Sequence, residues 1–134
     1  MQTPKEISQY LSDHHIRPSF QRVRIFEYLA EFRSHPTIDE IYHALAAEIP
    51  TLSKTTVYNT LDLFIREHVA QPLSIEDNQM RYDADVSVHG HFMCSNCGRV
   101  YDFQVDEIRA QGLDHFDVES RNVFYKGICP LCRQ

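Results

Sequence analysis

The chain reads as an α+β protein: an N-terminal winged helix-turn-helix domain followed by a small α/β domain built around a four-cysteine zinc site. Three observations predict this. Capped stretches with apolar residues at helical spacing succeed one another through the first half, and two short strand patterns follow them. A Cys-x-x-Cys pair, Cys94 and Cys97, is matched by a second, Cys129 and Cys132, and at this spacing two thiolates chelate one soft cation. Just ahead of the first pair lies His89-Gly90-His91. In a strand, the period of two sets both imidazoles on one face, ready to share a metal ion.

With 134 residues, 43% of them apolar, the chain can bury one ordinary core or two small ones. Four cysteines suit two disulfides, rubredoxin-like iron or zinc; paired knuckles with no secretory signal before them favour zinc. No apolar run approaches the ~20 residues of a membrane span, so a cytoplasmic protein is expected. A net charge of −6 argues only weakly against a nucleic-acid partner, because phosphate contacts need local positive potential. Residues 17–24 hold three arginines and no acid, whereas acids crowd residues 76–85.

Taken in order, Thr3-Pro4-Lys5-Glu6 predicts a helix start, with Thr3 as N-cap, Pro4 at the first helical position and Glu6 completing a capping box. That helix ends before Pro18. Ser19 caps a second, with Val23, Phe26 and Ala30 beside Ile25, Leu29 and Phe32 at helical spacing. His35-Pro36 stops it, since the residue before proline is pushed out of the helical region. Thr37-Ile-Asp-Glu40 is a further capping box, opening a third helix with Ile38, Ile41, Tyr42 and Leu45 inward and Pro50 at its end. Ser53 caps a fourth, whose inward face is Val57, Leu61, Phe64 and Ile65.

Two capped helices joined around Pro50-Thr51-Leu52 form a helix-turn-helix pattern, in which the second helix enters the major groove. Tyr58 and Asn59 are the candidate readers: asparagine pairs with adenine and tyrosine packs on a thymine methyl, while Ser53 or Lys54 at the helix start holds phosphate. A plain helical bundle with a solvated polar face fits this segment as well. Residues 69–75 and 79–84 then predict two strands joined by Glu76-Asp77-Asn78, a wing after the helices.

Beyond the metal stretch, residues 99–103 predict a strand returning antiparallel to the first, residues 106–111 a short helix ended by Gly112, and residues 118–127 a last strand. The span between the knuckles, residues 98–128, exceeds a usual zinc-ribbon gap, so a small α/β domain must bring them together. Four thiolates around zinc leave no position for a substrate, which makes that site structural. His89 and His91 have Asp83 and Asp102 as flanking acids that strand pairing can bring close. An enzyme would be a metallohydrolase using this His/Asp set to activate water, but no general-base motif accompanies it.

From the first helix to Cys132 the chain resembles the ferric uptake regulator (Fur) family. The resemblance is carried by Ser-Phe-Gln-Arg22, His35-Pro-Thr37, Thr56-Val-Tyr-Asn-Thr-Leu61, Arg81-Tyr-Asp83, His89-Gly-His91, Cys94-Ser-Asn-Cys-Gly98 and Cys129-Pro-Leu-Cys132. It implies a dimeric, metal-dependent transcriptional repressor acting on palindromic double-stranded DNA, with a winged helix over residues 1–84, a hinge at 85–88 and a dimerisation and zinc-binding domain over 89–134.

By the same resemblance His35, Asp83, His89, His91 and Asp102 match a five-ligand regulatory site for Fe²⁺ or Mn²⁺, and Cys94, Cys97, Cys129 and Cys132 the structural Zn²⁺ site. Aspartate at Asp83 and Asp102, with asparagine at Asn59, resembles the peroxide-sensing PerR branch, which implies His35 and His89 as the ligands that iron-catalysed oxidation modifies. An iron-, manganese- or zinc-responsive regulator that never reacts with peroxide is the alternative. The residues expected at DNA are Arg17, whose counterpart in relatives reaches toward the minor groove, with Arg22, Ser53, Lys54, Thr55, Tyr58 and Asn59. A further metal site found in some members is not expected, because Val88, Gly90 and Arg121 stand where its ligands would align. The helix after Phe103 is also shorter than the family pattern.

Overall fold

The computed structural model describes residues 2–31, 35–74, 80–87, 89–118 and 121–134. The chain divides into two units, Met1–Val86 and Ser87–Gln134.

The first unit holds four helices and a two-stranded sheet: α1 (Pro4–Asp13), α2 (Phe20–Glu31), α3 (Ile38–Leu45), α4 (Lys54–Arg66), then β1 (Gln71–Ser74) and β2 (Met80–Asp83). Each helix starts on the hydroxyl that local sequence supplies. Thr3 accepts the Glu6 N–H and donates to the Glu6 carboxylate. Ser19 accepts from Arg22 N–H at 3.2 Å and Ser53 from Thr56 N–H at 3.0 Å. Thr37 and Glu40 complete a reciprocal capping box. These bonds satisfy backbone donors that a helix cannot pair internally.

The core follows from the helical stripes. Ile7 and Leu11 of α1, Ile25, Phe26 and Leu29 of α2, Ile41 and Leu45 of α3, and Val57, Leu61 and Phe64 of α4 pack together with Tyr82 of β2. Phe26 meets Phe64 edge-on, ring centroids 5.8 Å apart. Phe32, the last apolar residue assigned to α2, lies outside the described residues, as does the Glu76-Asp77-Asn78 turn.

Two boundaries differ from expectation. α3 ends at Leu45 rather than at Pro50, and Glu48 and Ile49 fold back onto the Leu45 carbonyl, a tightened last turn that buries Ile49. Val69 and Ala70, assigned to a strand, instead close α4: His68 adopts φ 61 and Val69 N–H bonds to the Phe64 carbonyl, the left-handed ending typical of helices. Both residues are buried.

The second unit is a three-stranded sheet of order β4-β3-β5, with β3 (His89–Cys94), β4 (Val100–Gln104) and β5 (Val123–Gly127). β3 and β4 are antiparallel; β3 and β5 are parallel. The helix expected over residues 106–111 does not form. Six residues are too few to be helical without packing, and all but the half-buried Ile108 are exposed. The Arg109 guanidinium meanwhile bonds to Glu107 two residues back, a separation that puts side chains on different sides of a helix. The last strand is also shorter than residues 118–127: it begins at Val123.

Candidate metal centres

In the second unit the apolar residues that are buried, among those described, are Cys94, Val100 and Cys129. So small a core needs a staple. β3 delivers Cys94 at its end, and the parallel partner places Gly127 opposite it, with Ser95 N–H donating to the Gly127 carbonyl at 2.7 Å. Two residues on, Cys129 arrives beside Cys94. Gly98, at φ 76, lets the chain turn back so that its N–H reaches the Cys94 carbonyl, and Cys132 and Arg133 turn back onto the Cys129 carbonyl.

All four sulfurs lie within 4.8 Å of one another, and Cys97 Sγ is 3.9 Å from Cys129 Sγ. Zinc–sulfur bonds of about 2.3 Å in a tetrahedron set sulfurs roughly 3.8 Å apart. The donor set therefore fits zinc. Backbone N–H groups of Cys97 and Cys129 point at the Cys94 sulfur, at 3.5 and 3.4 Å, and bring its thiol down to about 6. The Cys129 thiol is also held below its ordinary value, chiefly by the neighbouring Tyr101 hydroxyl. Asn96 works downward on Cys132, but neighbouring Cys129 and burial outweigh it and push this thiol up to about 11. Part of the cluster is thus poised as thiolate before any metal arrives.

The other candidate ligands form one group in each unit. In the first, Tyr82 N–H bonds to the Pro36 carbonyl and Thr37 bridges to Arg81, so β2 is fastened along the segment that precedes α3. Asp83 is thereby brought to His35, Oδ2 to Nε2 at 3.3 Å. Both residues are buried. The second Asp83 oxygen accepts the Asp85 N–H at 2.9 Å, and the Arg81 guanidinium donates to the His35 carbonyl at 3.4 Å. His35 itself adopts φ 59, in the left-handed region rather than the extended one that a following proline favours, at a backbone cost met by its surroundings.

In the second unit, β3 turns His89 and His91 to one face, their ring centroids 4.4 Å apart. Asp102 is directly opposite His91 across the β3–β4 pair. Its Oδ1 lies 3.4 Å from His91 Nε2 and 3.7 Å from His89 Nε2. His89 Nδ1 bonds to the Ser87 carbonyl at 2.8 Å, which keeps the proton on Nδ1 and leaves Nε2 as the donor atom. Imidazole nitrogens with carboxylate oxygens suit Fe²⁺ or Mn²⁺. The cysteines belong to the opposite side of the same strand: Phe92 and Cys94 alternate with the histidines.

On α4, Thr55, Tyr58 and Asn59 face outward while Val57, Thr60, Leu61 and Phe64 are buried. Ser53 spends its hydroxyl on capping, and Lys54 is paired with Asp39 at 3.1 Å. A cleft of about 590 Å³ runs between the start of α2 and α4, lined by Arg17, Pro18, Ser19, Gln21, Arg22, Thr56, Asn59 and Thr60. Arg22 donates to the Arg17 carbonyl at 2.8 Å, bracing the turn that carries Arg17. Sequence reasoning missed Gln21, Thr56 and Thr60. Thr56, Asn59 and Thr60 are spaced three and four apart, a polar stripe that helical periodicity alone marks out.

The profile of the ferric uptake regulator family matches residues 13–124. The chain belongs to the ferric uptake regulator family. Fur-family relatives include the peroxide-responsive repressor PerR of Staphylococcus epidermidis, 36% identical over 89% of this chain and 83% of that one, and its Staphylococcus aureus counterpart, 35% identical over 88% and 83%. Among solved structures, PerR of Streptococcus pyogenes, described for peroxide sensing and gene regulation, is 30% identical, with a TM-score of 0.57 over 98% of this chain and 94% of that one. Fur of Helicobacter pylori, with 19% identity, shares the fold at a TM-score of 0.71 over 99% and 95%. Membership of a regulator family sets the metallohydrolase reading aside.

Proposed function

We propose that this chain is a metal-dependent transcriptional repressor of the cytoplasm that binds a palindromic operator as a homodimer and releases it on exposure to peroxide. The likeness to PerR proteins at about 35% identity over most of the chain supports this, but the observation that carries it is the chemistry of the two His/Asp groups. Each is partly buried, and each offers imidazole Nε2 beside a carboxylate oxygen. In this reading His35 and Asp83 from the winged-helix unit join His89, His91 and Asp102 from the second unit around one ion at the hinge. Joined around such an ion, the two sets of ligands would fix the spacing of the two recognition helices in the dimer, and without it they would release them.

Fe²⁺ held by His35, Asp83, His89, His91 and Asp102 would supply one-electron reduction of peroxide, chemistry that Mn²⁺ in the same residues would not. The likeness to PerR proteins points to His35 and His89 as the ligands that take the oxidation. His35 is held in place by its left-handed backbone and the Arg81 bond, and His89 by the Ser87 carbonyl. Tyr58 and Asn59 read bases, and Arg17, Arg22, Ser53, Lys54 and Thr55 hold the backbone of the duplex.

Mass spectrometry of iron-loaded protein after mild peroxide tests the sensing step. An added oxygen on a peptide holding His35 or His89, together with lost operator binding and no change in the manganese-loaded form, is the expected outcome. An unmodified histidine pair under those conditions leaves a metal-responsive regulator without peroxide chemistry.

A further inference from the structure

The cleft between the start of α2 and α4 is a positively charged feature of a chain whose net charge is −6. Arg17 and Arg22 line it, and among the described residues no carboxylate does. The hydroxyls around it are not alike. Ser19 accepts from the Arg22 N–H, and Thr56 shares a hydrogen bond with Ser53 at 2.9 Å. Thr60 is only 6% exposed, yet its hydroxyl has no hydrogen-bond partner among the described residues. Nor is its oxygen sealed from solvent, and the cleft that Thr60 lines is the opening left to it.

Thr60 belongs to the buried side of α4 with Val57, Leu61 and Phe64. Valine there would have nearly the same shape and helix propensity and no hydroxyl to leave unpaired. An unpaired hydroxyl in a buried position is unfavourable, so this one is matched to a partner from outside the chain. The walls of the cleft are braced in advance. Gln21 donates from the start of α2 to the Thr51 hydroxyl, in the turn before α4, at 3.1 Å, and Arg22 donates to the Arg17 carbonyl. Both guanidinium groups keep N–H donors for a ligand. Donors on preorganised walls, with no carboxylate opposing them, suit the oxygens of a phosphate.

A phosphate can come from a duplex backbone or as a free anion. Thr55, Tyr58 and Asn59 stand exposed on the same helix, and Asn59 also lines the cleft, which favours the duplex. Taking the chain to bind duplex DNA, as above, we infer that the cleft seats one backbone phosphate, with the Thr60 hydroxyl donating to it from the floor and Arg17, Arg22 and Gln21 enclosing it. Such a contact carries no sequence information. It sets the depth and register at which Tyr58 and Asn59 meet the bases.

The test is fluorescence anisotropy in phosphate-free buffer, with the full-length, zinc- and manganese-loaded protein and a labelled duplex that the unsubstituted protein has selected from a random-sequence pool. Thr60→Val is expected to bind on the order of tenfold more weakly, by the same factor on single-base-pair variants of the duplex, with a melting temperature unchanged or raised. Equal affinity of Thr60→Val and the unsubstituted protein overturns the phosphate seat and leaves DNA binding intact. A loss that varies with the base pair present marks a base contact and overturns it too. A pool that yields no bound duplex contradicts the DNA-binding reading itself, and the seat with it. Inorganic phosphate at matched ionic strength distinguishes the two sources. If it weakens duplex binding by the unsubstituted protein but not by Thr60→Val, and the two bind equally without it, a free anion occupies the cleft and the duplex does not. Where Thr60→Val does not fold, Thr60→Ser and Thr60→Ala replace it, since both lose the methyl group and only serine keeps the hydroxyl. Tighter binding by Thr60→Ser then supports the seat, and equal binding overturns it.

Discussion

Asp102 of β4 stands directly opposite His91 of β3, with Oδ1 3.4 Å from the imidazole Nε2. Strand register alone sets this pair, because residues facing each other across an antiparallel ladder share a side of the sheet. Cys94 of the four-cysteine group lies on the other side of β3, so the two kinds of site are separable by mutation. Asp102→Ala is expected to weaken manganese binding by at least about tenfold and to leave zinc at one per chain, as elemental analysis after dialysis will show.

Gly90 stands between the two histidines, and Phe103 covers it. A Cβ at this position would overlap the Phe103 ring, and that ring is itself stacked at a tilt on Tyr125, 5.1 Å between centroids. Gly90→Ala must displace the ring and is expected to cost about 1–3 kcal/mol. A lowered midpoint in chemical denaturation checks it. The Phe103 ring also occupies the space where a larger side chain at position 90 would have to sit.

The exposed face of α4, proposed to read bases, and its buried face are separable by mutation. Tyr58 is 55% exposed whereas Leu61, three residues on, is fully buried. Tyr58→Ala and Asn59→Ala are each expected to cost about 1–3 kcal/mol of operator binding with an unchanged melting temperature. Leu61→Ala is expected to cost about 2–5 kcal/mol of stability. Fluorescence anisotropy on operator DNA, paired with thermal melts, distinguishes the two classes.

Helix starts were legible because a cap is local: Thr3, Ser19, Thr37 and Ser53 each bond to an N–H three residues away. The knuckles and the His-x-His pair were legible for the same reason. What escaped depends on partners distant in sequence. Nothing near Val123 announces a parallel pairing with Gly90, and Gln21 acquires its place from Thr51, to which it donates at 3.1 Å. Residues 106–111 carried a helical pattern with no surface to bury it against.

Arg24 joins α2 to the turn after α3 through a two-pronged contact with Glu48, at 3.0 Å on each side. The hydrogen bond from Arg24 holds the Glu48 carboxyl below its ordinary value. A carboxyl depressed in the folded state stabilises above its unfolded value, and that contribution fades as pH falls through the folded value. Glu48→Gln should therefore melt slightly lower than the unsubstituted protein at neutral pH, and the gap should close as the pH falls through the folded value. Added salt should also narrow it, since the pair is exposed.

The account rests on a single ion being held by ligands from both units. Manganese titration of the zinc-loaded protein tests this most directly, comparing the unsubstituted chain with His35→Ala, Asp83→Ala, His91→Ala and the double variant His35→Ala/His91→Ala. The prediction is one manganese ion per chain, its affinity lowered at least about tenfold by each single change, with the two effects non-additive in the double variant because both act on the same ion. Manganese binding unaltered by His35→Ala and Asp83→Ala, while His91→Ala abolishes it, would contradict the account.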